Sequence, residues 1–366
     1  MENKENEIVL DNKCPTCGAN LKFNPTLGSW KCDFCKVNYT LEELKKHNNA
    51  SNEKNNEETC EEKNDTNENL VIYKCGNCGA EIVTDETVAA TFCIYCRNTA
   101  ILKSKLSGKF APDKIIPFKI EKEKAIEAFK NISKGRPFVP KDFNDESNIE
   151  KIRGVYVPFW LFNTTTDATI TYDAKKIRTW VVGNTHYTET STFELIRDGS
   201  VNFEKIPVDG STRFEDDIMN SIEPFDYKDL VPYNHAYLSG FLAEKYDVES
   251  ETAYKDAEVR ANNSTKETFQ STTVGYSSVF PKIQKLDTKL VSKEYCLLPV
   301  WMVNVKYNNQ MHIFAMNGQT GEFIGNIPLD KKKVVLYFVI IFIISFLIII
   351  GLSYLIYKVG GARWKR

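Results

Sequence analysis

Apolar residues alternate with polar ones, or cluster with β-branched and aromatic neighbours, over Val155–Phe162, Thr169–Tyr172, Thr179–Val182, Thr192–Ile196 and Leu297–Tyr307, which predicts strands. The spacing turns helical at Ala125, Ile126, Phe129 and Ile132, so a helix is expected over 121–134, stopped by Gly135. Two further helices are expected near 215–222, ahead of Pro224, and near 251–269. Asn317-Gly318 predicts a hairpin turn between His312–Met316 and Glu322–Ile327. Together these elements predict one α+β domain with a mainly antiparallel sheet over 108–330. Within it, Pro158-Phe159-Trp160-Leu161-Phe162-Asn163 is echoed by Pro299-Val300-Trp301-Met302-Val303-Asn304, which suggests a duplicated β-unit. Proline inside a strand predicts an edge or a bulge at each copy.

The amphipathic pattern breaks down in two places. Residues 47–69 carry seven acids against two lysines and almost no apolar side chain, so they cannot bury enough surface to order themselves and read as a disordered acidic linker. Val334 to Tyr357 is apolar on every face and uncharged, roughly 36 Å as a helix, which exceeds the ~30 Å hydrocarbon layer of a bilayer. A single transmembrane helix with a basic tail is therefore expected over 331–366, flanked by Lys331, Lys332 and Lys333 and by Lys358, Arg363, Lys365 and Arg366. Met1 to Leu10 has no apolar run of signal-peptide length, so folding is expected to begin in the cytoplasm.

The chain has 366 residues, room for two or three domains, and a net charge of −2 that exerts no overall pull on a polyanion. Its ten cysteines change the picture more, because eight form four Cys-x-x-Cys pairs. Cys14, Cys17, Cys32 and Cys35 repeat, at one constant offset, as Cys75, Cys78, Cys93 and Cys96, and Gly18-Ala19 repeats as Gly79-Ala80. Two such knuckles on neighbouring hairpins bring four thiolates to one point, the tetrahedral set that zinc prefers. We therefore expect two small β zinc ribbons, at 11–46 and 70–107, each holding one structural Zn2+. Thr40-Leu41-Glu42-Glu43 reads as a capping box for a short helix ending near Lys46. Cys60, in the linker, reads as an incidental thiol and Cys296 as a small buried hydrophobe. With only Cys296 among its thiols, 108–330 is expected to fold without metal.

Cys14-Pro15-x-Cys17-Gly18 with Trp30-Lys31-Cys32-x-x-Cys35 resembles the transcription-factor-IIB-type zinc ribbon. The whole layout resembles a group of little-characterised bacterial membrane proteins named after that ribbon. The resemblance implies zinc and a membrane anchor and brings no activity with it.

Four thiolates leave no coordination position for water or substrate, so the metal is expected to fold the ribbons and not to catalyse. His47, His186, His235 and His312 are scattered outside any catalytic motif, no G-x-x-x-x-G-K-[ST] phosphate loop is present, and Glu215-Asp216-Asp217 suits a helix start better than a metal site. No enzyme is expected. The reading favoured is a membrane-anchored, non-catalytic module that binds a protein partner or acts as a scaffold at the cytoplasmic face. The alternative is a nucleic-acid-binding ribbon protein linked to transcription or replication. Against it, the two ribbons carry net charges of only +2 and +1 while the linker carries −5, which makes a poor phosphate clamp.

Overall fold

The computed structural model describes residues 13–52, 70–75, 78–85, 93–95, 101–105, 112–132, 134–140, 152–213, 216–307, 310–325 and 327–363. Strands β1 (Leu21–Asn24), β2 (Ser29–Cys32) and β3 (Asn38–Tyr39) form a small antiparallel sheet in that order. Helix α1 (Leu41–Asn52) follows, its first turn closed by the expected capping box: the Thr40 amide donates to Glu43 Oε2 at 2.8 Å, and the Glu43 amide donates to Thr40 Oγ1 at 3.3 Å. The helix runs six residues beyond Lys46, into the stretch read as linker; 53–69, with Cys60, lies outside the described residues.

The large sheet contains β4 (Leu70–Cys75), β5 (Glu81–Asp85), β6 (Ile101–Lys105), β7 (Lys114–Ile115), β8 (Arg153–Val182), β9 (Thr185–Asp209), β10 (Val231–Pro232), β11 (Leu242–Glu244), β12 (Ser278–Tyr307), β13 (Gln310–Asn317) and β14 (Phe323–Gly325). Helices α2 (Lys122–Ile132), α3 (Asp216–Ser221) and α4 (Ser250–Ser271) are interspersed, and α5 (Lys331–Arg363) ends the described chain. Among the described residues, pairing is antiparallel except where β11 meets β8 and β7 meets β12. The three predicted strands between 155 and 182 are one continuous strand, because β12 pairs with β8 from Arg153 to Lys175 and β9 from Phe159 to Val182, which supplies partners for its polar stretches too.

The sheet is a duplication, and each half completes the other. The order β7–α2–β8–β9 recurs as β11–α4–β12–β13. Each short first strand pairs in parallel with the long strand of the opposite unit, β7 with β12 and β11 with β8. Trp160 Nε1 donates to Val248 O and Trp301 Nε1 to Ile120 O, both at 2.9 Å, just ahead of α4 and α2 respectively. The two prolines sit neither at an edge nor at a bulge, as proline in a strand would predict. Pro158 lies where the neighbour of β8 changes from β11 to β9, and Pro299 where the neighbour of β12 changes from β7 to β13. At such a switch no strand is in place to receive the missing N–H. Each proline carbonyl still accepts a bond from a glycine amide, Gly210 at 2.9 Å and Gly318 at 2.8 Å.

The matching glycines are required by close approach. A Cβ on Gly318 would lie 2.6 Å from the Phe118 ring and 2.9 Å from Pro299 Cβ, whereas one on Gly210 would meet Pro158 O at 3.1 Å. Gly318→Ala is therefore expected to lose about 1–3 kcal/mol through overpacking, and Gly210→Ala less. Urea midpoints of the two variants check this, and equal midpoints would refute it.

β8, β9 and β12 continue as a three-stranded arm, β8 alone being about 100 Å long at ~3.3 Å per residue. Alternate residues Thr164 to Ala174 of β8 are buried beneath α4, whose stripe of Ala253, Ala257, Ala261, Thr265 and Phe269 is small enough to lie close to the sheet. Beyond Ala174 the arm is exposed on both faces and ends near a stacked Trp180–Tyr187 pair, ring centroids 5.6 Å apart.

Candidate metal centres

The first cysteine set sits at the turns of the small sheet. Gly18 donates to Cys14 O at 2.8 Å and Lys36 to Cys32 O at 3.0 Å, and both donors have a left-handed backbone, φ 69° and 63°. Glycine at position 18 meets that demand without strain. The result brings the sulfurs of Cys14, Cys17, Cys32 and Cys35 within 4.8 Å of one another, with Cys14–Cys35 and Cys17–Cys32 at 3.5 Å. A tetrahedron of thiolates ~2.3 Å from a metal has edges of about 3.8 Å, so the set fits one tetrahedral ion.

The second set repeats the turn: Gly79 donates to Cys75 O at 2.9 Å with φ 72°, and the sulfurs of Cys78 and Cys93 lie 3.6 Å apart. Cys75, Cys78 and Cys93 converge within the same 4.8 Å; Cys96 lies outside the described residues. Each of the two clusters could hold a metal ion.

Electrostatics in the first cluster favour a cation. Burial pushes the Cys14 thiol up, but bonds from the Tyr39 hydroxyl and the Cys17 and Thr16 amides outweigh it and bring it to about 6. At Cys17 the Ala19 amide favours the thiolate, yet burial and the neighbouring sulfurs prevail and push it up to about 12. Sulfurs this close resist ionising together unless a positive ion sits between them.

Both units are built into the large domain. Trp30 is buried and donates Nε1 to Ala236 O at 2.9 Å, and its ring packs at a tilt against Phe23 and Tyr237 at centroid distances of 5.0 and 5.1 Å. The second unit joins more firmly, since β5 pairs antiparallel with β11 and so extends the large sheet through β4 to β6. Arg213 donates to Cys78 O at 3.3 Å and to Gly79 O at 3.1 Å, fastening the first knuckle. Asn304 donates to Tyr95 O at 2.7 Å and also to Ile94 O, fastening the second. Behind Arg213, buried Glu244 accepts from its Nε at 3.2 Å and from Ser211 Oγ at 2.8 Å. Burial lifts the Glu244 carboxyl to about 7 despite those partners. Arg213, Glu244 and Asn304 belong to no local motif, and sequence reasoning missed them; the nearest hint is that Asn304 ends the second copy of the Pro-x-Trp repeat.

The other residues singled out from the sequence are dispersed. His235 is buried, while His47 and His186 are exposed, and no histidine joins a group of metal-ligating residues among those described. Asp216 opens α3, and Glu215 lies outside the described residues. Cys296 is buried in β12, which pushes its thiol up to about 12. α5 contains one stretch, Lys331–Ser353, long and apolar enough to cross a membrane, and none of it is buried in the protein.

The chain is 36% identical over 331 residues to a protein of Bacillus subtilis (strain 168) described as "Uncharacterized protein YdjG", a match that covers 90% of this chain and 94% of the other. No family model and no solved structure matches it.

Proposed function

The chain belongs to the family that includes YdjG of Bacillus subtilis, and from that footing we propose that it is a membrane-anchored zinc-ribbon protein that binds a protein partner without catalysis at the cytoplasmic face. The observation that carries this reading is a cleft of about 700 Å³ where both cysteine units meet the large domain. Lys22, Lys31 and Asp33 come from the first unit, Ile94 from the second, and Arg153 and Trp301 from the large domain; Glu121, Lys122 and Glu123 complete the lining. Such a surface offers an apolar floor with charges of both signs, which suits a protein segment. It suits nucleic acid less, because three acids offset all but one of the four cations and Lys22 is held by Asp33 at 2.7 Å.

Zinc is the metal proposed at each cluster, of the transcription-factor-IIB ribbon type, because four thiolates select a soft divalent ion and close its coordination sphere. The cytoplasmic side follows from chemistry, since eight thiols need a reducing space until metal binds. The test is crosslinking and pull-down of the full-length protein from membranes, beside a Lys31→Glu/Glu123→Lys variant that reverses two cleft charges at constant net charge. A protein lost by the variant is the expected result. An unchanged set of proteins would sink the cleft as the binding site, and recovered RNA or DNA in its place would favour the nucleic-acid reading.

A further inference from the structure

More than chain continuity attaches α5 to the large domain. Asp330 caps its first turn, the carboxylate accepting the Lys332 and Lys333 amides at 3.0 and 3.3 Å. The Asp330 N–H donates to Phe138 O at 2.8 Å, the Lys333 ammonium donates to Val139 O at 2.8 Å, and the Phe138 ring meets the Tyr337 ring edge-on with centroids 5.2 Å apart. Residues 134–140, remote in sequence, are thus held against the first two turns of the helix. Tyr337 follows Lys333 by four residues, about 6 Å farther along the axis at ~1.5 Å per residue. Phe138 therefore sits on the apolar side of the three lysines.

Lys134, Gly135, Arg136 and Pro137 are exposed around that contact, as are Lys331 and Lys332. Among the described residues, Lys134, Arg136, Lys331 and Lys332 take part in no ion pair. With Lys333 they make five cations on the two segments that meet here, and the Asp330 carboxylate between them is occupied as the helix cap. Exposed cations on the two segments that meet at the start of a membrane helix, in no ion pair among the described residues, with aromatic rings about one turn deeper, match the headgroup layer of a bilayer.

We propose that residues 134–140 and Lys331–Lys333 form a basic collar that rests in the headgroup layer, binds anionic phospholipid and fixes the large domain against the membrane. The inference rests on the reading that α5 spans the bilayer. It is tested with the full-length protein in vesicles of phosphatidylcholine alone and of equimolar phosphatidylcholine and phosphatidylglycerol. A photoreactive phenylalanine analogue at position 138 should form lipid adducts detectable by mass spectrometry. Spin-labelled phosphatidylglycerol should be selected over phosphatidylcholine, and Lys134→Gln and Arg136→Gln should each lower that selectivity by up to about fivefold at low salt. Protein that fails to float with the vesicles would overturn the anchor and the collar together. Protein that floats but forms no lipid adduct, or whose selectivity survives both substitutions, would overturn the collar alone.

Discussion

Stripping metal from the second cysteine cluster is expected to destabilise the large domain by about 5 kcal/mol, beyond merely unfolding a small appendage. The reason is shared backbone pairing: β5 is hydrogen-bonded to β11, which is hydrogen-bonded to β8. Ile72, Ile82 and Val83 are all buried in that continuous sheet, and fully exposing each would lose about 1.5–3 kcal/mol. At about 2–4 °C per kcal/mol for a domain of this size, the melting midpoint should fall by roughly 10–20 °C. Calorimetry of the intact protein with and without chelator measures this, and Cys75→Ser should reproduce the shift without chelator. Metal analysis should find two equivalents per chain before treatment. The first cluster joins the domain through Trp30 and its ring contacts, so Cys14→Ser should lower the midpoint less. A melt of the large domain indifferent to both treatments would refute the argument and restore the expectation that 108–330 folds independently of metal.

Local patterns made part of this architecture legible. Cysteine spacing located the first cluster and three members of the second, because a knuckle is a short-range turn whose geometry is written in four or five residues. The cap at Thr40, the helix around Phe129 and the turn at Asn317 were readable for the same reason. The long strands were not. Residues such as Thr188, Glu189 and Thr190 carry no apolar alternation, and their strand conformation is imposed by neighbours on β8. The duplication was half visible: six residues around each tryptophan gave it away, while the matching βα pieces share position and hydrogen bonds more than they share side chains. Nothing local marks Arg213 or Glu244, which acquire their roles only when the chain beyond β9 brings Arg213 beside both the Cys78 turn and Glu244 on β11.

The ion pair of Arg213 with buried Glu244 carries the other large effect. Glu244 is 1% exposed, and Arg213 is its cationic partner. Arg213→Met should lose about 3–5 kcal/mol, because it strands a carboxyl with only the Ser211 hydroxyl and a neighbouring tyrosine for support. Replacing both residues by apolar ones, Arg213→Met with Glu244→Leu, should recover most of that loss, since no charge is then left in the interior. Metal affinity should behave differently. The guanidinium also fixes the carbonyls of Cys78 and Gly79, and the double variant restores neither bond, so the second cluster should still bind its ion more weakly than in the parent. Urea midpoints report the first quantity, and competition with a chromophoric chelator reports the second. A double variant no more stable than Arg213→Met would show that Arg213 acts through packing alone. Full recovery of metal affinity would show that the knuckle does not depend on the core for its shape.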